Sequence, residues 1–224
     1  MPGESFLSYP EHTIIDFLGQ KKLNILFIPY AGVNISWSDY EAKVKVVFDK
    51  IGHSLTSIHH FKDSKKAIQQ AEAIVVGGGN TWNLLRTIQE NNLTDAIRSR
   101  ILDDNIKYIG WSAGANIACP TIKTTNDMPI VEVVGLKALN IIPFQINPHF
   151  IDNNIINHSG ETREDRILEF LEKNRQTTVV GLREGCMFLI KDKEIKYIGE
   201  KSLRVFKYDK TPYELNDNFN FLIN

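Results

Sequence analysis

The sequence predicts an α/β protein: a mostly parallel sheet with helices on both faces, followed by a C-terminal β-hairpin. Three observations lead there. From Leu23 to Gly110, short apolar runs alternate with stretches whose apolar residues recur at helical spacing. Two of those runs close in glycine-rich turns that open a helix, at Gly77-Gly78-Gly79 and at Gly110-Trp111-Ser112-Ala113-Gly114. After Pro120 the rhythm changes, and two apolar runs flank the polar Lys191-Asp192-Lys193-Glu194. Alternating strands and helices pair in parallel, because each crossover helix covers one face of the sheet.

The elements follow in order. Leu23 to Ile28 reads as an apolar strand ending at Pro29, with Gly32 in the loop beyond. Ser36 or Ser38 caps the next helix, where Trp37, Tyr40, Val44, Val47 and Ile51 share a face and Gly52 is the stop. Leu55 to His59 is a second strand, and Asp63 caps a helix through Ala71. Ala73 to Val76 is a short buried strand, followed by helices over Thr81 to Glu90 and Thr94 to Asp103. Ile106 to Ile109 is the strand before Ser112, and Ala113 to Ala118 the helix after it. Thr121 to Met128 is a polar loop, and Ile141 to Ile146 a strand interrupted by Pro143. Thr162 to Lys173 is a helix with Ile167, Leu168 and Leu171 on one face. Thr177 to Leu182 and Cys186 to Ile190 are strands, Ile195 to Ile198 completes the hairpin, and Leu203 to Tyr208 adds one more. No repeat, low-complexity tract or linker interrupts residues 1–224, so one domain is expected.

Composition narrows the function classes. With 42% hydrophobic residues, a chain of 224 can bury a substantial core. Lys+Arg 26 against Asp+Glu 27 gives a net charge of -1, which offers no general attraction to nucleic acid or anionic membrane. Cys119 and Cys186 make no disulfide framework and lack zinc-site spacing, so free buried thiols are expected. No apolar run is long enough to span a bilayer, and Met1 to Ser5 lacks the features of a signal peptide. A cytoplasmic location is the expectation.

Chemistry concentrates at Ser112. Gly110 and Gly114 stand two residues either side of it, so the chain can bend sharply from strand to helix and present the hydroxyl. The Ala113 amide, at the start of that helix, is placed to meet an oxyanion. Gly77-Gly78-Gly79 lacks the lysine of a phosphate loop and the spacing of a dinucleotide fingerprint. As a tight turn capped by Asn80 or Thr81, it can supply a second oxyanion amide from Gly78 or Gly79. A serine needs a base, and of six histidines His149 is the best placed, in Asn147-Pro148-His149-Phe150. The acid that orients an imidazole has two candidates, Asp127 and Glu184, which residue pattern alone does not separate. His59 and His60 invite a metal reading. As adjacent residues of a strand they would face opposite ways, which argues against a shared ion. His12 and His53 read as surface residues.

Five blocks in order then resemble the peptidase E, or alpha-aspartyl dipeptidase, family: FIPYAG at Phe27, VVGGGNT at Val75, GWSAGANIACPTIKTTNDMPI at Gly110, QINPHF at Gln145 and GETREDRI at Gly160. They span nearly the whole chain. The resemblance implies a flavodoxin-like sheet related to class I glutamine amidotransferases, whose elbow cysteine is here Ser112. It implies a serine dipeptidase for Asp-Xaa substrates, with no metal or organic cofactor and acting as a monomer or weak oligomer. By the same match Ser112 is the nucleophile and His149 the base. Asp127 and Glu184 both match acids of the family, with Glu184 favoured for orienting His149. Arg163 matches the arginine that grips the substrate aspartate, a task that suits a planar guanidinium. Read without the family, Arg163 would pair with Glu164 or Glu169 along its helix. Family members usually open with a short apolar strand ahead of the Pro-Gly that stands here as Pro2-Gly3; either the start at Met1 is late or the sheet has lost that strand, which would leave an apolar edge uncovered. Two other readings compete: an α/β-hydrolase esterase, which fits the elbow but not the spacing to its acid, and a non-catalytic protein that binds aspartyl peptides.

Overall fold

A computed structural model describes residues 7, 9–152, 160–191 and 193–223. They divide into two compact units, residues 1–122 with 127–141, and residues 123–126 with 142–224. Whether a strand precedes Pro2-Gly3 concerns positions outside the described residues.

The first unit runs α1 (Glu11–Leu18), β1 (Asn24–Ile28), α2 (Trp37–Lys50), β2 (Ser54–Ser57), α3 (Ser64–Gln70), β3 (Ala73–Val76), α4 (Thr81–Glu90), α5 (Thr94–Leu102), β4 (Lys107–Gly110) and α6 (Ala113–Ile117). Its four strands lie in the order β2-β1-β3-β4, all parallel. That is the strand order of flavodoxin-like sheets. Alternation along β1 divides the core. Leu26 and Ile28 face a cluster with Ile68, Leu84, Leu85, Ile88 and Ile97, from α3, α4 and α5. Ile25 and Phe27 face the other, with Ile14, Leu18, Val44 and Phe48 from α1 and α2. Burying each such side chain contributes roughly 1.5–3 kcal/mol, so the two apolar faces fix the register of the sheet.

Caps explain several boundaries. Ser36 accepts from Asp39 N, Asp63 from Lys66 N, and Asn80 from Asn83 N, each ending the preceding loop as its helix begins. The second strand is shorter than expected: it stops at Ser57, and Ile58–His60 is a 3-10 helix. Helix α1 has no side-chain cap and buries only Ile14 and Leu18, so it left little trace in the sequence.

The second unit holds β5 (Gln145–Phe150), α7 (Arg163–Lys173), β6 (Val179–Arg183), β7 (Met187–Lys191), β8 (Glu194–Ile198), β9 (Leu203–Phe206) and β10 (Tyr213–Leu215). Its sheet has the order β10-β9-β6-β5, with β5 parallel to β6 and the other pairs antiparallel. β7 and β8 form the expected hairpin as a separate two-stranded sheet. β5 begins four residues later than the expected strand and runs through Pro148 and His149. Residues 123–126 join this unit through side chains: Thr124 donates to the Ile146 carbonyl at 2.8 Å, and Asn126 to that of Pro148 at 2.6 Å. Thr162 and Asp165 form a capping box that starts α7.

Candidate active site

The elbow is built by close approach of main chain. A Cβ on Gly110 would lie 2.4 Å from the Gly114 carbonyl oxygen, and one on Gly114 would lie 2.3 Å from that of Val76. Neither position admits a side chain, which is why the glycines stand where they do. Between them Ser112 has φ 54° and ψ -113°, a conformation that costs a non-glycine residue roughly 1–3 kcal/mol. Ala113 follows as the first residue of α6, with Gly114 N–H donating to Trp111 O at 2.9 Å.

The Gly77-Gly78-Gly79 turn packs against this corner. A Cβ on Gly78 would meet the Ser112 Cβ at 2.9 Å, and Gly79 has φ 135°. The Gly77 and Asn80 amides donate to the Ile28 and Ala31 carbonyls, so Gly78 and Gly79 carry the remaining amides of the turn. Tyr40 braces it from below, its hydroxyl donating to Gly78 O at 3.1 Å. Burial raises the Tyr40 pKa, which keeps the hydroxyl a donor. Nothing in the local pattern around Tyr40 marked it for this task; its helical spacing signalled only core.

Asp127 belongs to the same unit. Its Oδ2 accepts from Thr81 N at 2.8 Å and Thr81 Oγ1 at 2.6 Å, and its carbonyl accepts from Trp82 Nε1. The carboxylate therefore holds the N-terminal turn of α4, where negative charge is favoured, and ties the long loop to the glycine turn.

His149 and Glu184 lie together in the second unit, with His149 Nδ1 2.5 Å from Glu184 Oε2. The carboxylate can only accept, so Nδ1 carries the proton and Nε2 is left as the basic nitrogen. Both side chains are about half exposed, and such a pair adds at most about 1 kcal/mol to stability. Its consequence is orientation. His149 has φ 51°, and the β5–β6 register slips between Pro148 and Phe150. Its neighbours in β5 are buried while it is exposed. A bulge of this kind turns one side chain out of a strand. Asn126, which accepts from the buried Asn147 amide at 2.7 Å, also holds the Pro148 carbonyl next door.

Arg183 was not anticipated. Its guanidinium is only 9% exposed and makes paired bonds to Asp152 (2.6 and 2.9 Å) and Glu214 (both 2.8 Å). It immediately precedes Glu184, while Asp152 follows His149 by three residues. The cluster thus fastens the ends of β5 and β6 that carry the imidazole and its acid. Arg183 and Ser202 hold Glu214 at about 2, against an ordinary 4.5.

Arg163 opens α7. Glu164 pairs with Arg204 at 3.0 Å instead, and Arg163 Nη1 is buried with no hydrogen-bond partner among the described residues. Burial and the nearby Arg166 lower its pKa. A partly desolvated guanidinium nitrogen in that state is a ready donor to a carboxylate ligand.

The other histidines depart from expectation in part. His53 is buried rather than superficial, and its Nδ1 accepts from Leu23 N at 3.2 Å. His59 and His60 sit on the 3-10 turn, so the opposite-faces argument of a strand does not hold for them. His12 is exposed and pairs with Asp16. Cys119 and Cys186 are both buried and are not joined in a disulfide. No helix among the described residues is long and apolar enough to cross a membrane.

Comparison with known proteins agrees with this architecture. The family model of Peptidase family S51 matches residues 2–198. The chain is 47% identical over 223 residues to Peptidase E of Nostoc sp. strain PCC 7120, covering 99% of this chain and 92% of that one. It is 43% identical over 225 residues to Peptidase E of Escherichia coli O6:K15:H31, covering 98% and 96%. The crystal structure of a peptidase from an acI-B1 Actinobacterium shares the fold, with a TM-score of 0.66 at 17% identity over 93% of this chain and 88% of that one.

Proposed function

The chain belongs to peptidase family S51, and from that premise we propose that it is a serine dipeptidase that cleaves Asp-Xaa dipeptides through an acyl-enzyme on Ser112. The observation that carries the reading is the strained elbow, with Ser112 at φ 54° against the Gly78 turn. Strain of this sort persists where the surrounding structure enforces it, and it gathers at sites of chemistry.

In this mechanism His149 Nε2 takes the Ser112 proton as Oγ attacks the carbonyl after the N-terminal aspartate. The Ala113 amide and an amide of Gly78 or Gly79 receive the oxyanion, a stabilisation in which one donor is typically worth about 10²- to 10³-fold in rate. The imidazolium formed is held by Glu184, a role supported by the 2.5 Å bond to Nδ1. His149 then protonates the leaving amine, and water releases aspartate. Asp127 supports the site through Thr81 and the turn beside it. Arg163 meets the substrate side-chain carboxylate, supported by its buried, unpartnered Nη1. A neutral side chain would leave that guanidinium unpaired, so discrimination comes from the penalty as much as from the bond.

Purified protein tested on Asp-Leu, Asn-Leu, Glu-Leu and acetyl-Asp-Leu should hydrolyse Asp-Leu preferentially. Arg163→Met should lower kcat/KM for Asp-Leu by about 10- to 100-fold, the worth of a charge-assisted hydrogen bond. Equal rates on all four dipeptides would remove the specificity claim.

A further inference from the structure

We propose that Glu41, His59 and His60 form a binding site for a divalent transition metal ion of the zinc type. The site goes beyond the peptidase reading and does not use the elbow, His149 or Glu184.

Strand β2 ends at Ser57, and the chain turns at once into the 3-10 helix Ile58–His60. Such a helix has about three residues per turn, so successive side chains are not sent to opposite faces as they are in a strand. The two imidazoles instead lie near each other, ring centroids 4.0 Å apart at 38°. Glu41 reaches them from α2. One ligand atom from each of the three residues lies within 4.8 Å of the other two.

The surroundings hold these ligands in place. Glu41 Oε1 accepts from Ser57 N at 2.7 Å, which leaves Oε2 turned to His60 Nε2 at 2.6 Å. His59 Nδ1 meets the hydroxyl of the fully buried Ser57 at 2.6 Å, and its Nε2 lies 3.1 Å from Ser38 Oγ. Orienting bonds to the atoms behind the ligands, here from Ser57 to Glu41 Oε1 and His59 Nδ1, are what fix tautomer and direction in metal sites, and Ser38 would yield His59 Nε2 to the ion. The ion would take the place of the hydrogen bond between His60 Nε2 and Glu41 Oε2.

The donor set selects the ion. Two imidazoles and one carboxylate suit zinc and its neighbours, whereas magnesium and calcium take oxygen ligands. Three protein ligands leave a fourth position to water or to a small ligand. The 3-10 turn follows the carboxyl end of β2, the same edge of the parallel sheet from which the elbow leaves β4.

The test uses the full-length protein, stripped of metal by a chelator and dialysed. Zn²⁺ is titrated in competition with a chromophoric chelator, and Co²⁺ by its visible absorption. The wild type should take up one equivalent, with the intense bands of four-coordinate Co²⁺. His60→Gln and Glu41→Gln should lose it, with circular dichroism showing them folded. Ser57→Ala should weaken binding about 10- to 100-fold, as removal of an outer partner does. His149→Gln, which breaks a separate imidazole–carboxylate pair, should leave uptake unchanged. A wild type that takes up neither ion overturns the proposal. So does uptake that survives both His60→Gln and Glu41→Gln, or uptake that depends on His149. These readouts are independent of dipeptide hydrolysis.

Discussion

Ser112 and His149 are both non-glycine residues at positive φ, and at each the sequence offered a different amount of warning. Paired glycines announced the serine, because close backbone approach at Gly110 and Gly114 leaves no other residue type. The turning out of His149 depends on a register slip in β5 that no local pattern encodes. The two acids show the same limit. Asp127 and Glu184 looked alike as loop carboxylates, and only the fold gives one Thr81 and the other His149 as partner. Their variants should therefore behave differently. Glu184→Gln should cut kcat on Asp-Leu by up to about 10⁴-fold, as loss of a triad acid does, while thermal melting stays unchanged because the pair is half exposed. Asp127→Asn should lower activity and stability together, by about 2 kcal/mol or roughly 4–8 °C in Tm, because the charge holding the α4 N-terminus is lost. Equal melting behaviour of the two variants would contradict this division of labour.

At the scale of elements, strands and helices with strong periodicity were legible, and those defined by partners were not. Ala73–Val76 is apolar throughout because it is buried on both faces of a parallel sheet. Strand β2 ended early because Ile58 leaves the sheet for the core, a tertiary preference that the apolar run hid. His53, between α2 and β2, shows a further tertiary effect. It is buried and accepts from Leu23 N just ahead of β1, and burial with the nearby Lys107 lowers its pKa below 6.5. A histidine pKa lower in the folded than in the unfolded state means the unfolded chain binds the extra proton more readily. The associated stability is complete above the unfolded value and is lost as pH falls below it. Urea midpoints should thus fall between about pH 7.5 and pH 5.5 in the wild type, and fall less in His53→Gln. Identical pH slopes would show that the buried imidazole does not matter.

For the whole molecule, the α/β class and the parallel pairing were readable from the alternation of strand and helix, and the closing hairpin from the two apolar runs around Lys191 to Glu194. The division into two compact units was not, since residues 123–126 join the second unit through Thr124 and Asn126 without any linker composition. Arg183 was equally silent: an arginine in a strand gives no sign that it will be buried between Asp152 and Glu214. Its effect should appear in acid. Glu214 is held at about 2 against 4.5, so the stability it contributes is present above pH 4.5 and lost as pH falls toward 2. Acid titration followed by circular dichroism should show Glu214→Gln less stable than the wild type at neutral pH but with a flatter acid limb.

The most direct test of the central claim is the turnover of Asp-Leu by purified wild type and Ser112→Ala. Nucleophilic catalysis at the elbow predicts a loss of about 10⁴- to 10⁶-fold in kcat in a variant that folds normally. Undiminished hydrolysis by Ser112→Ala would contradict it.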